Sequence, residues 1–145
     1  MGENKRKIIV LILVLLLTGG IIGFYLYNKE GPDINNARTI KISATELYEL
    51  FTRDSVSAKK NYAEQILEVA GEVTGVSKNQ QTNLIILLKT NTSGAAVNCT
   101  MEGPAGNLQN GNKISLKGIC KGLGQGDADL GIAPDVYLTR CYIGL

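Results

Sequence analysis

From Ile8 to Tyr27 the chain runs for 20 residues without a charge, with Lys5, Arg6 and Lys7 before the run and Asn28 and Lys29 after it. As a helix rising about 1.5 Å per residue, such a run covers the roughly 30 Å hydrocarbon layer of a bilayer. Phe24, Tyr25 and Tyr27 fall where an interfacial aromatic belt belongs, and the positive-inside rule keeps the Lys5-Arg6-Lys7 end in the cytoplasm. The rival reading takes Ile8 to Leu17 as the apolar region of a cleaved signal peptide. It lacks a small-residue cleavage site, and hydrophobicity resumes through Ile21, Ile22 and Phe24, so the pattern favours an uncleaved anchor. Gly19 and Gly23 have the GxxxG spacing through which two such helices can pair as a dimer.

Beyond the anchor the pattern changes twice. Lys29 to Arg38, KEGPDINNAR, is polar and without period, and reads as a flexible linker. Ser43-x-x-Glu46 is a capping box, and Leu47, Leu50 and Phe51 follow at helical spacing, which predicts an amphipathic helix of about ten residues. A second short helical turn fits Ser55 to Tyr62, with Ala58 and Tyr62 on one side and Lys59 and Lys60 facing water. After Tyr62 the period drops to two. Leu67, Val69, Gly71 and Val73 alternate with Glu68, Glu72 and Thr74, the mark of a half-buried strand. Further strands are predicted over Leu84 to Leu88, Val97 to Met101, Ile114 to Cys120 and Asp135 to Ile143, with Arg140 breaking the alternation of the last and marking a bulge. These five strands, a glycine inside the first and a longer connection between the third and fourth predict a mainly β fold, a five-stranded OB-type barrel. An open sheet is the alternative. The expected organisation is a cytoplasmic N-terminus over 1–7, a transmembrane anchor over 8–27, a linker over 28–41 and the barrel domain over 42–145.

Charge and composition narrow the function. The chain of 145 residues carries a formal net charge of +2. Setting aside Lys5, Arg6, Lys7, Lys29, Glu3 and Glu30 leaves 11 basic and 11 acidic residues. A domain of zero net charge lacks the basic footprint that phosphate binding requires. There is no histidine, which removes Ser-His and Cys-His catalytic pairs and the commonest zinc ligand. No enzymatic activity, cofactor or metal is expected. A thiol-dependent enzyme would need an accessible cysteine of low pKa.

Several short motifs resemble a known family. Ser43-Ala44-x-Glu46-Leu47-Tyr48, Ala58-x-x-x-Tyr62, Val69-x-Gly71-x-Val73, Lys117-Gly118-x-Cys120 and Val136-x-Leu138-x-x-Cys141 are similar to the tRNA_anti-like group of OB-fold domains in bacterial proteins. The likeness covers about 100 residues from Ile42 onward. It implies an OB-fold binding module, often membrane-anchored or exported, whose role is mostly unassigned.

Single-stranded nucleic acid binding by such barrels uses aromatic platforms and a basic groove on the second and third strands. Here those strands have no aromatic residue, and Lys89 is the only nearby cation. Tyr137 and Tyr142 on the last strand are the remaining candidates for stacking, so Lys89, Tyr137 and Tyr142 are the candidate ligand residues and nucleic acid is not the expected ligand. Asp127-x-Asp129 offers two carboxylates but no further ligands of a calcium loop. Cys99, Cys120 and Cys141 lie on three predicted strands without a C-x-x-C pair. In an OB barrel Cys141 can reach either Cys99 or Cys120, and the family-like positions favour a Cys120–Cys141 disulfide. The resulting expectation is a binding or interaction module without catalysis. A single-pass anchor in the bacterial cytoplasmic membrane would hold it outside the cytoplasm, in the periplasm of a Gram-negative cell, with a protein partner in the cell envelope. An oligonucleotide-binding barrel is the alternative.

Overall fold

The computed structural model describes residues 2–28, 33–34 and 36–144, and divides into two units, Met1–Asp33 and Ile34–Leu145. The first holds a single helix, α1 (Glu3–Tyr27), with no buried residue and a mean hydropathy of 2.8 over its apolar window. Among the described residues it alone is long and apolar enough to cross a membrane, a test that a signal sequence also passes.

The second unit contains β1 (Ile40–Ser43), α2 (Ala44–Arg53), α3 (Ser55–Tyr62), β2 (Ile66–Lys78), β3 (Leu84–Lys89), β4 (Ala96–Met101), β5 (Lys113–Leu123) and β6 (Val136–Ile143). The long β2 serves two neighbours. Ile66 to Glu72 pair antiparallel with β5, and Val73 to Lys78 pair antiparallel with β3. β3 continues antiparallel to β4, β4 runs parallel to β6, and β6 returns antiparallel to β5, which closes a five-stranded OB-type barrel.

β1 is an additional strand, parallel to β2 from Ile40 opposite Leu67 to Ser43 opposite Ala70. Sequence pattern places these positions in and just after a linker, because only Ile42 of the four faces the core and one inward residue makes no alternation. Ile34, inside the same stretch, is only 2% exposed. The remainder of the expected linker includes residues 29–32 and 35, which lie outside the described residues.

The barrel fills with alternate residues of every strand. Leu67, Val69, Ile86, Leu88, Val97, Leu116 and Leu138 are fully buried, as period-two alternation requires. α2 supplies Leu47, Tyr48 and Phe51 to the same cluster. Its start is fixed as the capping box predicts, since the Ser43 hydroxyl accepts a hydrogen bond from the Glu46 amide at 3.1 Å. Asp54 does the same for α3, accepting from the Ser57 amide at 3.1 Å, and the Ser57 hydroxyl together with that amide holds its carboxyl below the usual range. Gly71 lets α2 approach. A Cβ there would stand 3.1 Å from the Ala44 Cβ and 3.2 Å from the Leu88 Cβ.

The break at position 140 is a true irregularity. Arg140 has φ 53, and the β4–β6 register shifts between Cys99 and Met101. One extra residue on β6 thereby returns Cys141 to the interior, where it is fully buried.

If α2 is integral to the core, removing its largest buried side chain and removing its cap should differ sharply. Phe51→Ala is expected to cost about 3–5 kcal/mol of unfolding free energy, and Ser43→Ala only about 1 kcal/mol. Urea titrations of the two variants measure this. A Phe51→Ala loss under about 1 kcal/mol would remove α2 from the core.

Candidate functional site

Cα partners in a sheet carry their side chains on one face, so the register defines the outer surface of the barrel. Leu87 lies opposite Asn98 and Asn98 opposite Tyr137, while Ile85 lies opposite Thr100. Next along the strands, Lys89 lies opposite Ala96. At this end an open cleft of about 530 Å³ is lined by Thr74, Leu87, Lys89, the loop Thr90 to Ala95, Ala96 and Asp135. A second depression of about 380 Å³, bounded by Ser43, Thr45, Gly71 and Glu72, shares Lys89, Thr90 and Asn91 with it.

The loop between the two is internally tied. Thr90 is buried, and its hydroxyl donates to the Ala95 carbonyl at 2.8 Å and lies 3.3 Å from the Thr92 amide, which donates to it. The Asn91 amide donates to the Glu49 carboxylate, linking the loop to α2. Asp135 accepts from the Ala96 amide at 2.9 Å. Burial, reinforced by the charge of Asp135, raises the Tyr48 hydroxyl above its ordinary pKa. Lys89 lines both depressions and forms no ion pair among the described residues. The cleft therefore combines an apolar floor at Leu87 with hydroxyls, amides, one ammonium and one carboxylate. That set suits a polar chain carrying an apolar group better than a polyphosphate.

Of the three candidate ligand residues, two share this face. Lys89 belongs to the cleft, and Tyr137, 40% exposed, stands on the neighbouring rung beside Asn98. The Tyr137 ring packs over Gly124, where an added Cβ would force the ring aside. Tyr142 lies elsewhere, opposite Lys117 near the other end of β6. Its ring covers Gly103, and a hydrogen bond to Glu102 raises its pKa. Glu102 also pairs with Arg140 at 2.8 Å, which lowers its own pKa. Both tyrosines thus have packing duties over glycines. Sequence reasoning missed the Thr90 to Ala95 loop and Asp135. The density of hydroxyl and amide groups in Thr90-Asn91-Thr92-Ser93 was the available signal.

Asp127 is occupied by the backbone of its own turn. Its carboxylate accepts from the Asp129 and Leu130 amides at 3.0 and 3.1 Å, and no metal-binding cluster occurs among the described residues. The turn leaves Leu130 and Ile132 exposed.

Cys99, Cys120 and Cys141 are free thiols in this structure and are fully buried. The Cys99 thiol donates to the Val97 carbonyl at 3.8 Å, and its interaction with the Cys141 thiol, together with burial, pushes its pKa well up. Cys120 lies toward α3, where its carbonyl accepts from the Glu64 amide, and burial raises its thiol to about 11. Cys99 and Cys120 each stand opposite Leu138, on the two strands that flank β6, and all three thiols are free. Such protonated, buried thiols are the reverse of what a nucleophilic cysteine requires.

Barrel closure and strand order define the domain as an OB-type fold. A family model described as tRNA_anti-like matches residues 1–129, and the chain belongs to that family. The match takes in α1 and stops short of β6. No curated protein matches. Among solved structures the chain is similar to one described as "putative aspartyl-tRNA synthetase from Leishmania major Friedlin", at 8% identity and a TM-score of 0.43. That likeness covers 86% of this chain but only 25% of the other, so the chain spans about a quarter of its length.

The raised Cys120 pKa carries a pH dependence. Below pH 9 the thiol is protonated in both the folded and unfolded states, and its contribution is constant. Between its ordinary 9.0 and about 11 the unfolded chain releases the proton first, so stability falls as pH rises. The expected loss is about 3 kcal/mol across this window for the reduced protein. Chemical denaturation from pH 8 to about pH 11 in reductant measures it, and Cys120→Ala should lessen the slope by that share. An unchanged slope would contradict the assignment.

Proposed function

We propose that this chain is a membrane-anchored OB-fold interaction module, held by α1 outside the cytoplasm of a bacterial cell, with a peptide segment of a cell-envelope protein as ligand in the Lys89 cleft. The observation carrying this reading is the cleft itself. It is preformed by a loop hydrogen-bonded to itself and to α2, and its largely apolar surface carries one ammonium and one carboxylate. Lys89 would hold a carboxylate or carbonyl of the segment, Asp135 an amide or ammonium, and Leu87 an apolar side chain. No group in the cleft is arranged as a nucleophile with its base, which favours binding over catalysis.

α1 supports anchoring through its length and lack of charge, and Lys5, Arg6 and Lys7 support a cytoplasmic N-terminus. Gly19 and Gly23 have open space beside them, which allows pairing of two anchors. The second reading, an oligonucleotide-binding barrel, draws on one observation, the half-exposed Tyr137 ring on the face that carries Lys89.

Two measurements test the proposal. The full chain should remain in the membrane fraction after carbonate washing, and protease added to spheroplasts should digest the barrel while sparing cytoplasmic markers. Protection of the barrel would reverse the topology. A photocrosslinking residue at Ser93 should give discrete adducts in intact cells that the same probe at Lys60 does not. Equal labelling at both positions would dismiss the cleft. Fluorescent single-stranded DNA is expected not to bind even at low salt, and salt-sensitive binding would favour the second reading.

A further inference from the structure

Apolar side chains that reach water are not spread evenly over the barrel unit. Among its described residues the large ones are Ile40, Val56, Val76, Leu130, Ile132 and Tyr137. All but Val76 belong to elements at one end, where β1, β2, β4 and β6 begin and β3 and β5 stop. α3 is placed there by the Glu64 amide, which follows it and donates to the Cys120 carbonyl near the end of β5. The opposite end carries the polar β2–β3 turn, Asn79 to Asn83. Val56 is 78% exposed and shares a face of α3 with Lys59 and Lys60, three and four residues on, with Arg53 just before the helix. No ion pair among the described residues engages these three cations. Leu130 and Ile132 are held outward by a tied turn. Asp127 and Ile132 exchange backbone hydrogen bonds at 2.8 and 2.7 Å, and the Asp127 carboxylate accepts from the Asp129 and Leu130 amides. The turn thus displays two apolar side chains without having to become ordered on binding.

The chain joins the barrel at this same end, because β1 runs parallel to β2 and starts with Ile40 opposite Leu67. Six residues, 28–33, separate the end of α1 at Tyr27 from the buried Ile34, and fully extended they reach at most about 20 Å. We propose that this end of the barrel is a lipid-docking surface. Val56, Leu130 and Ile132 enter the headgroup–acyl boundary of the bilayer that holds α1, and Arg53, Lys59 and Lys60 lie among the phosphates of its anionic lipids. Apolar side chains scattered singly need no partner, whereas these are gathered where the tether enters. Their insertion gains from the area withdrawn from water, and the cations add attraction to the phosphates. Asp54 is committed to the cap of α3 and Glu64 to an ion pair with Lys121 at 2.8 Å. Asp129, exposed beside Leu130, limits the depth to the headgroup layer. The proposal rests on the reading of α1 as an anchor, and it holds for either face of the membrane.

The chain contains no tryptophan, so one introduced residue reports on its own surroundings. Full-length Leu130→Trp, Val56→Trp and, as the far-end control, Gln80→Trp are reconstituted into vesicles of phosphatidylethanolamine and phosphatidylglycerol with brominated acyl chains. All three positions are exposed, so the substitutions leave the core untouched. Flotation of the vesicles reads anchoring, and tryptophan emission reads docking. The expected result is blue-shifted, bromine-quenched emission from positions 130 and 56, and neither effect from position 80. Adding Lys59→Glu and Lys60→Glu should weaken the quenching at position 130, as should replacing the lipids with brominated phosphatidylcholine. Protein that floats while positions 130 and 56 respond like position 80 overturns the docking surface and leaves this end to a protein partner. Quenching indifferent to the two charge reversals removes the lysines from the surface. Protein that fails to float overturns the anchored reading itself, and the docking surface with it.

Discussion

The whole domain depends on β2 being shared between two antiparallel partners. A strand of 13 residues cannot stay straight while one half pairs with β5 and the other with β3. The register slips between Val73 and Gly75, where the strand passes from one partner to the other. Gly71, just before that point, removes the side chain that would crowd Ala44 and Leu88. This bend gives the sheet its closure, and closure creates the interior that Leu47, Tyr48 and Phe51 of α2 help to fill. The cleft beside Lys89 is a further result, because it lies where Thr74 on the turned half of β2 meets the β3–β4 loop.

That arrangement explains what the sequence could disclose. Ser43 and Glu46 gave away the start of α2 because a cap is a local interaction between residues three apart. The main strands were visible because a closed barrel buries every second residue of each, as in Leu67, Val69 and Val73. The break at Arg140 showed for the same reason. β1 was hidden, since four residues with one inward side chain have no period. The places of the three thiols were hidden as well. Cys99 and Cys120 sit on opposite sides of β6, and only three-dimensional placement distinguishes them.

The candidate site was less legible than the fold. Lys89 stood out as an isolated cation and Tyr137 as an aromatic on the last strand, and the two do share a face. Tyr142 looked equivalent in sequence, yet it packs over Gly103 at the other end of the strand. Thr90 and Asp135 resembled ordinary turn residues because their roles depend on partners that fold to them, Ala95 in one case and Ala96 in the other. A binding surface made by loop closure leaves little periodic trace.

The short strand β1 does more than lengthen the sheet. It covers the backbone of β2 from Leu67 to Ala70, a stretch whose pairing with β3 begins only at Val73. Its own outer edge is brief and carries the exposed Lys41, a charge that discourages another chain from adding there. A fragment beginning after Ser43 would bare the hydrogen-bonding groups of β2 from Leu67 to Ala70. Such a fragment would offer that edge for strand addition, a place that β1 occupies in the intact chain.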